Sequence, residues 1–194
     1  MTDWEVTDWA VTDWATLSAA VRDCTACSEL AASRSTVVIG EAPAGARLAL
    51  VGEAPGASED AAGRPFVGRA GGLLERVLGE VGLRRDEVVL LNVLKCRPPA
   101  NRPPRPLEAA NCRPWLQGQL NLVAPAVTVA LGLSATRWFL GRTTTLGAVR
   151  GQAHTVAGGV VVPTYHPSAA LRFGPAGAPL AALRSDLAYA VSLL

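Results

Sequence analysis

Lysine is almost missing from this chain: Lys95 stands alone among 18 basic residues, and the rest are arginine. Histidine is scarce, with His154 and His166 the two copies. A net charge of +2 is too small by itself to argue for nucleic acid as a partner. Arginine suits planar contacts to phosphate, but GC-rich coding explains the bias as well, together with the many Ala, Gly and Pro. Long apolar runs are also lacking. Charges, Pro or Gly interrupt each one before the roughly 20 residues that a bilayer span needs. The N-terminus shows no basic region followed by an apolar core, so no secretory signal is expected. The expectation is a cytoplasmic protein. What the chain does have is a hydrophobic fraction of 49% over 194 residues, ample for one packed domain.

In a protein expected to be cytoplasmic, the four cysteines read as metal ligands or buried thiols rather than disulfides. Cys24 and Cys27 form a C-x-x-C pair, while Cys96 and Cys112 stand far downstream. Zinc and a four-iron cluster both accept four thiolates, so the spacing does not choose between them.

The first residues repeat Thr-Asp-Trp at a period of five, beginning at Thr2, Thr7 and Thr12. That period fits neither helix nor strand, so residues 1–15 read as a duplicated, partly disordered leader to a domain over 16–194. Thr12 or Asp13 is placed to cap a helix running towards Cys24. Beyond the cysteine pair, apolar strands alternate with helices. Strands are expected at 47–52, 87–94, 126–132 and 159–164, and helices at 71–81, 107–122, 134–140 and 180–193. Continuous Val/Leu runs between helices predict an α/β fold: a mostly parallel four-stranded sheet with helices on both faces. Ligands of such sheets bind at the carboxyl ends of the strands.

Three motifs follow strands. The first is Gly52-Glu53-Ala54-Pro55-Gly56, continuing through Glu59-Asp60 to Gly63-Arg64-Pro65-Phe66-Val67-Gly68. Its glycines let backbone approach a ligand, and its acids serve either chemistry or a helix cap. A near-copy at 40–45, Gly-Glu-Ala-Pro-Ala-Gly, lacks the extension and reads as a connection. The second is Asn92-Val93-Leu94-Lys95-Cys96-Arg97-Pro98-Pro99 with Asn101-Arg102, where the Asn92 amide suits a base edge. The third is Tyr165-His166-Pro167-Ser168, running to Leu171-Arg172; a histidine fixed at a strand end stabilises a developing anion as well as it fills a structural role. His154 reads as a surface or turn residue.

Taken with the order of the four cysteines, these motifs resemble the family 4 uracil-DNA glycosylases, thermophile-type enzymes that carry a 4Fe-4S cluster. The resemblance runs from about Cys24 to the C-terminus. It implies a three-layer α/β/α fold, base excision repair, and a flipped uracil held in a pocket. Within that pocket, Gly52, Ala54, Pro55, Gly56, Phe66, Asn92, Asn101 and His166 would bind the base. Phe66 would stack on it, Asn92 would read its O4 and N3–H, and His166 would donate to O2. Glu53 and Glu59 are the candidates to position water or offset charge on the sugar, and Glu59 alternatively crowds the place of a thymine methyl. Family 1 enzymes have Asp where this chain has Ala54, so the water-activating residue stays open.

The resemblance further implies that Ser168, Leu171 and Arg172 enter the minor groove, with Leu171 as wedge, and that Arg97 and Arg102 bind phosphate. Cys24, Cys27, Cys96 and Cys112 would hold the cluster, zinc being the other occupant considered. Uracil-containing DNA is the expected partner of a monomer acting on the nucleoid. Two rivals differ in class. A related protein traps uracil-DNA covalently, but carries a basic loop with a nucleophilic His where this chain has Arg97–Pro106. A ferredoxin-like electron carrier would crowd its cysteines into a short segment.

Overall fold

The structure, a computed structural model, describes residues 13–174 and 176–194. The repeats that precede Asp13 lie outside the described residues. Asp13 itself caps the first helix, accepting from Thr16 N at 2.8 Å.

Helices α1 (Trp14–Arg22) and α2 (Ser28–Ser33) flank the C-x-x-C pair, and strand β1 (Leu48–Gly52) follows. After it come α3 (Ala57–Ala62), α4 (Arg69–Glu80) and β2 (Val88–Asn92). Then α5 (Pro106–Val123), β3 (Val127–Leu131), α6 (Leu133–Leu140) and the short α7 (Leu146–Val149) lead to β4 (His154–Val156) and β5 (Gly159–Thr164). Two helices close the chain, α8 (Pro167–Phe173) and α9 (Ala178–Ser192).

The sheet order is β2-β1-β3-β5-β4, parallel except for the last pair. Every residue of β1, β2 and β3 is buried, which is why these strands read as unbroken apolar runs rather than alternating ones. One face packs Leu50, Leu90 and Val129 against Leu74 and Leu78 of α4 and Leu183 and Leu187 of α9. The other packs Val51, Leu91 and Ala130 against Leu116 of α5 and Ala135 of α6. Three layers result.

The expected four strands become five. The additional one, β4, is three residues long and pairs antiparallel with β5. His154 belongs to it rather than to a turn, and its ring Nε2 pairs with Val149 O at 2.9 Å. Three residues with one β-branched pair, His-Thr-Val, carry too little periodicity to announce a strand. The segment at 40–45 is more than a connection, because Glu41 forms an antiparallel bridge with Leu90 beside β2.

Candidate active site

The sheet order reverses around β1: the chain moves from β1 to β2 on one side, then back across to β3 on the other. The crevice of an open α/β sheet opens at such a reversal, at the carboxyl ends of the strands. A cavity of about 400 Å³ lies there, lined by Glu53 after β1, Asn92 at the end of β2, Leu131 to Leu133 from the end of β3 onward, and His166 after β5.

The first motif builds one wall. The Glu59 carboxylate accepts from Gly56 N at 3.1 Å, Val67 N at 2.9 Å and Gly68 N at 2.7 Å. It therefore ties the start of α3 to the start of α4 and shapes the turn between them. Asp60, 2% exposed, accepts from Ser35 N at 3.0 Å and holds the preceding loop. Phe66 sits in this turn with φ 51°, a left-handed conformation that a bulky residue adopts only under constraint. Its ring is buried at 5% exposure, with its centroid 6.2 Å from that of His166.

Gly52 explains how the floor is assembled. A Cβ there would lie 2.4 Å from Asn92 Oδ1 and 2.7 Å from Phe66 Cζ. The amide and the aromatic ring thus both rest on bare backbone, which is the close approach that glycine permits. Asn92, 4% exposed, has its carbonyl held by Lys95 Nζ at 2.7 Å.

His166 caps the short α8, and its Nδ1 accepts from Ser168 N at 3.2 Å while pairing with Ser168 Oγ at 2.8 Å. Acceptance at Nδ1 leaves the ring proton on Nε2. Burial pushes the imidazole down to about 4, against the opposing pull of Glu59. The ring is neutral near pH 7, and a neutral imidazole still donates from Nε2.

The two candidate acids separate. Both Glu59 oxygens are committed to backbone amides, whereas Glu53 Oε2 accepts from Ser134 Oγ at the start of α6 and Oε1 takes no hydrogen bond from the described residues. Ser134 has no motif around it, and only the fold brings it to Glu53. Ala54, Pro55, Gly56, Asn101, Arg102, Ser168 and Arg172 also line the cavity, while Gly52 lies beneath it and Arg97 and Leu171 are outside the lining. Leu171 is 36% exposed on α8.

The arginines of the Pro-rich stretch are mostly engaged. Arg102 makes a two-pronged pair with Glu108 at 2.9 and 2.5 Å, which raises the pKa of Arg102 and lowers that of Glu108. Arg105 pairs with Glu29, and Arg113 stacks over Trp138 with 4.4 Å to the ring centroid. Among the described residues, Arg97 bonds the side chain of Asn101, at 2.8 Å.

Behind this wall the fold draws together the four cysteines. Cys24 and Cys27 between α1 and α2, Cys96 after β2, and Cys112 within α5 line one cavity with Arg34 and Lys95. Cys96 Sγ accepts from Arg34 Nη1 at 3.0 Å, Cys112 Sγ from Lys95 N at 3.3 Å, and Cys27 Sγ from Asn111 Nδ2 at 3.6 Å. Burial pushes the Cys112 thiol up to about 12 despite the nearby Lys95, and raises that of Cys96 despite Arg34. Thiolates in this cavity need positive charge within it, which a metal centre supplies. Among the described residues, no three His, Cys, Asp or Glu side chains are grouped as a single ion requires. Also among the described residues, no helix is long and apolar enough to cross a membrane.

Residues 39–188 match the family model described as the uracil DNA glycosylase superfamily. The chain is 48% identical over 158 residues to the type-4 uracil-DNA glycosylase of Thermotoga maritima, covering 80% of this chain and 82% of that one. Against the type-4 enzyme of Saccharolobus solfataricus it is 41% identical, with 78% and 74% covered. Against that of Pyrobaculum aerophilum it is 42% identical, with 70% and 67% covered.

Proposed function

Because the chain belongs to the uracil DNA glycosylase superfamily, we propose that its strand-end cavity takes a uracil flipped out of DNA and that Phe66, Asn92 and His166 bind it. The protein is a DNA-repair hydrolase that cleaves the N-glycosidic bond of uracil in DNA. One observation carries the assignment of the pocket. An aromatic ring, an amide and a neutral imidazole, the last two at the ends of different strands, line one cavity behind Gly52.

A base stacked on Phe66 meets the Asn92 side chain with one edge. The amide donates to O4 and accepts from N3–H, whereas cytosine presents the opposite pattern at both atoms. A mismatch there leaves buried polar groups unpaired, at a cost of about 1–3 kcal/mol each. As the bond from C1′ to N1 breaks, the electron pair leaves with uracil, and His166 Nε2–H donates to O2. Water adds its oxygen at C1′, and the proton it gives up ends on the departing uracil anion, leaving an abasic sugar and neutral uracil.

Glu53 is our candidate to orient that water, since Ser134 fixes one of its oxygens and the other has no donor among the described residues. Glu59 shapes the turn instead. Pro55, Gly56 and Ala54 contribute backbone, and Asn101 lines the rim. Ser168 and Arg172 meet the DNA backbone on α8, with Leu171 as the wedge into the minor groove. Arg97 adds a phosphate contact, while Arg102 is a brace for α5 through Glu108.

For the four cysteines we propose a 4Fe-4S cluster. The four cysteines lining one cavity, in a chain 48% identical to a type-4 relative, support this reading, with zinc as the other occupant that four thiolates accept. When bound, it supplies structural cross-linking of α1, α2 and α5 to the loop after β2. The assembly we propose is a monomer. A DNA substrate calls for work at the nucleoid in the cytoplasm.

The test is excision of uracil from single strands and from U·G and U·A duplexes, scored as alkali-labile sites. Cleavage of a uracil strand with an unmodified control left intact is expected. A product-free reaction on all three would reject the pocket assignment, and an oligonucleotide left attached after denaturation would favour a covalent trap.

A further inference from the structure

Arg85 lies outside the cavity, in a turn just before β2, with its side chain 17% exposed. Its guanidinium reaches the back of the loop that carries Phe66. Nη2 donates to Pro65 O at 2.5 Å and Nη1 to Phe66 O at 2.9 Å. Nε donates to Glu41 Oε2 at 2.9 Å, and Nη1 also meets Glu75 Oε1 of α4 at 3.0 Å. Glu41 turns its second oxygen to Arg64 Nε at 2.8 Å, immediately before Pro65. The backbone of Glu41 is locked to Leu90 by two hydrogen bonds, of 2.9 and 2.8 Å.

The loop is therefore bound to the edge of the sheet at both ends of its turn. The Phe66 carbonyl also has Gly71 behind it: a Cβ at that glycine would lie 1.8 Å from Phe66 O. A planar fork on two successive carbonyls fixes the orientation of the peptide between them. That peptide sets the left-handed φ of 51° from which the Phe66 ring projects.

We propose that Arg85, braced by Glu41, is a positioning residue for uracil excision: it holds the Pro65 and Phe66 carbonyls so that the Phe66 ring presents its face to the flipped base. The inference rests on the reading of Phe66 as the stacking residue. It also gives the segment at 40–45 a function, because Glu41 is the link between the clamp and β2.

The experiment is a double-mutant cycle on the full chain, with single-turnover excision and thermal melting read in parallel. Displacing a positioned group by about an ångström costs on the order of a hundredfold in rate, so F66A and R85M should each lose about that much. In the F66A background, R85M should cost nothing further in excision, while its effect on Tm stays the same in both backgrounds. R85K, which keeps the charge and loses the fork, should recover only part of the rate. E41Q, a milder change if R85M folds poorly, should show a smaller loss that also vanishes in F66A. Losses that multiply in the double variant, or R85M with full activity, would overturn the clamp. Full activity in F66A would instead reject the stacking role of Phe66.

Discussion

Lys95 Nζ donates to the carbonyl of Asn92 at 2.7 Å, from a side chain that is 1% exposed. The one lysine of the chain thus links the two halves of its chemistry, because it also lies beside Cys96 and Cys112 in the cysteine cavity. Burial pushes its pKa down to about 8, while the two cysteines pull it up. Replacing it with methionine removes the donor and leaves the Asn92 carbonyl buried and unsatisfied, a cost of about 1–3 kcal/mol. K95M should melt earlier and lose both excision and brown colour, as followed by Tm, single-turnover assay and visible absorbance. A variant indistinguishable from the parent on all three would show the lysine to be dispensable.

Gly52 tests the geometry of the floor without removing any hydrogen-bonding group. G52A brings a methyl within 2.4 Å of Asn92 Oδ1 and 2.7 Å of Phe66 Cζ. Both side chains must shift, so excision should fall by about a hundredfold or more while the cluster absorbance persists. Unchanged kcat/KM in G52A would mean that neither side chain has to be where the structure has it.

His166 predicts a pH profile. Free histidine takes up its proton near 6.5, and this one not until about 4, because burial disfavours the charged ring. Between those values the unfolded chain binds more protons than the folded one. Stability contributed by the neutral ring is therefore present above 6.5, falls as pH drops through the window, and levels off below about 4. H166Q should flatten this part of a Tm-versus-pH curve. Excision, for its part, should show no acid limb at 6.5 that H166Q removes; finding one would put the folded pKa of His166 at its ordinary value.

Salt dependence separates the arginines. R97A and R172A should each reduce the slope of log kcat/KM against log salt by about 1, the signature of one phosphate contact. R102A should act mainly on stability, since its guanidinium is paired with Glu108 at the start of α5. A large salt-slope change in R102A with Tm unaltered would reverse that assignment.

The cysteines give a direct chemical test. C96A and C112A should each lack the visible absorbance of an iron–sulfur cluster, and iron and sulfide analysis of the parent should approach four of each per chain, as a 4Fe-4S centre requires. Stoichiometric zinc with no sulfide would assign the site to the other metal.

Much of this arrangement is legible before any coordinates. The strands β1, β2 and β3 are mainly apolar because both faces of the sheet are covered, as is the later part of β5, and the strand ends locate the motifs. Asn92 and His166 are readable as polar residues at those ends. The division of labour between Glu53 and Glu59 is not readable. It depends on three backbone amides turning towards one carboxylate and on Ser134 arriving from another element. The partners of the arginines are hidden for the same reason. Arg102 and Glu108 are six residues apart, and Arg105 and Glu29 are 76. Neither periodicity nor local spacing reports such contacts. The clamp at Arg85 is the extreme case, joining four segments that share no pattern.

The small hairpin and the bridge at Glu41 have a consequence for life at high concentration. An open sheet normally ends in two rows of unpaired amides and carbonyls, which invite a neighbouring chain to add a strand. Here one margin is finished by a three-residue strand and the other by the Glu41–Leu90 bridge. A neighbouring copy would find little free backbone at either margin on which to add a strand.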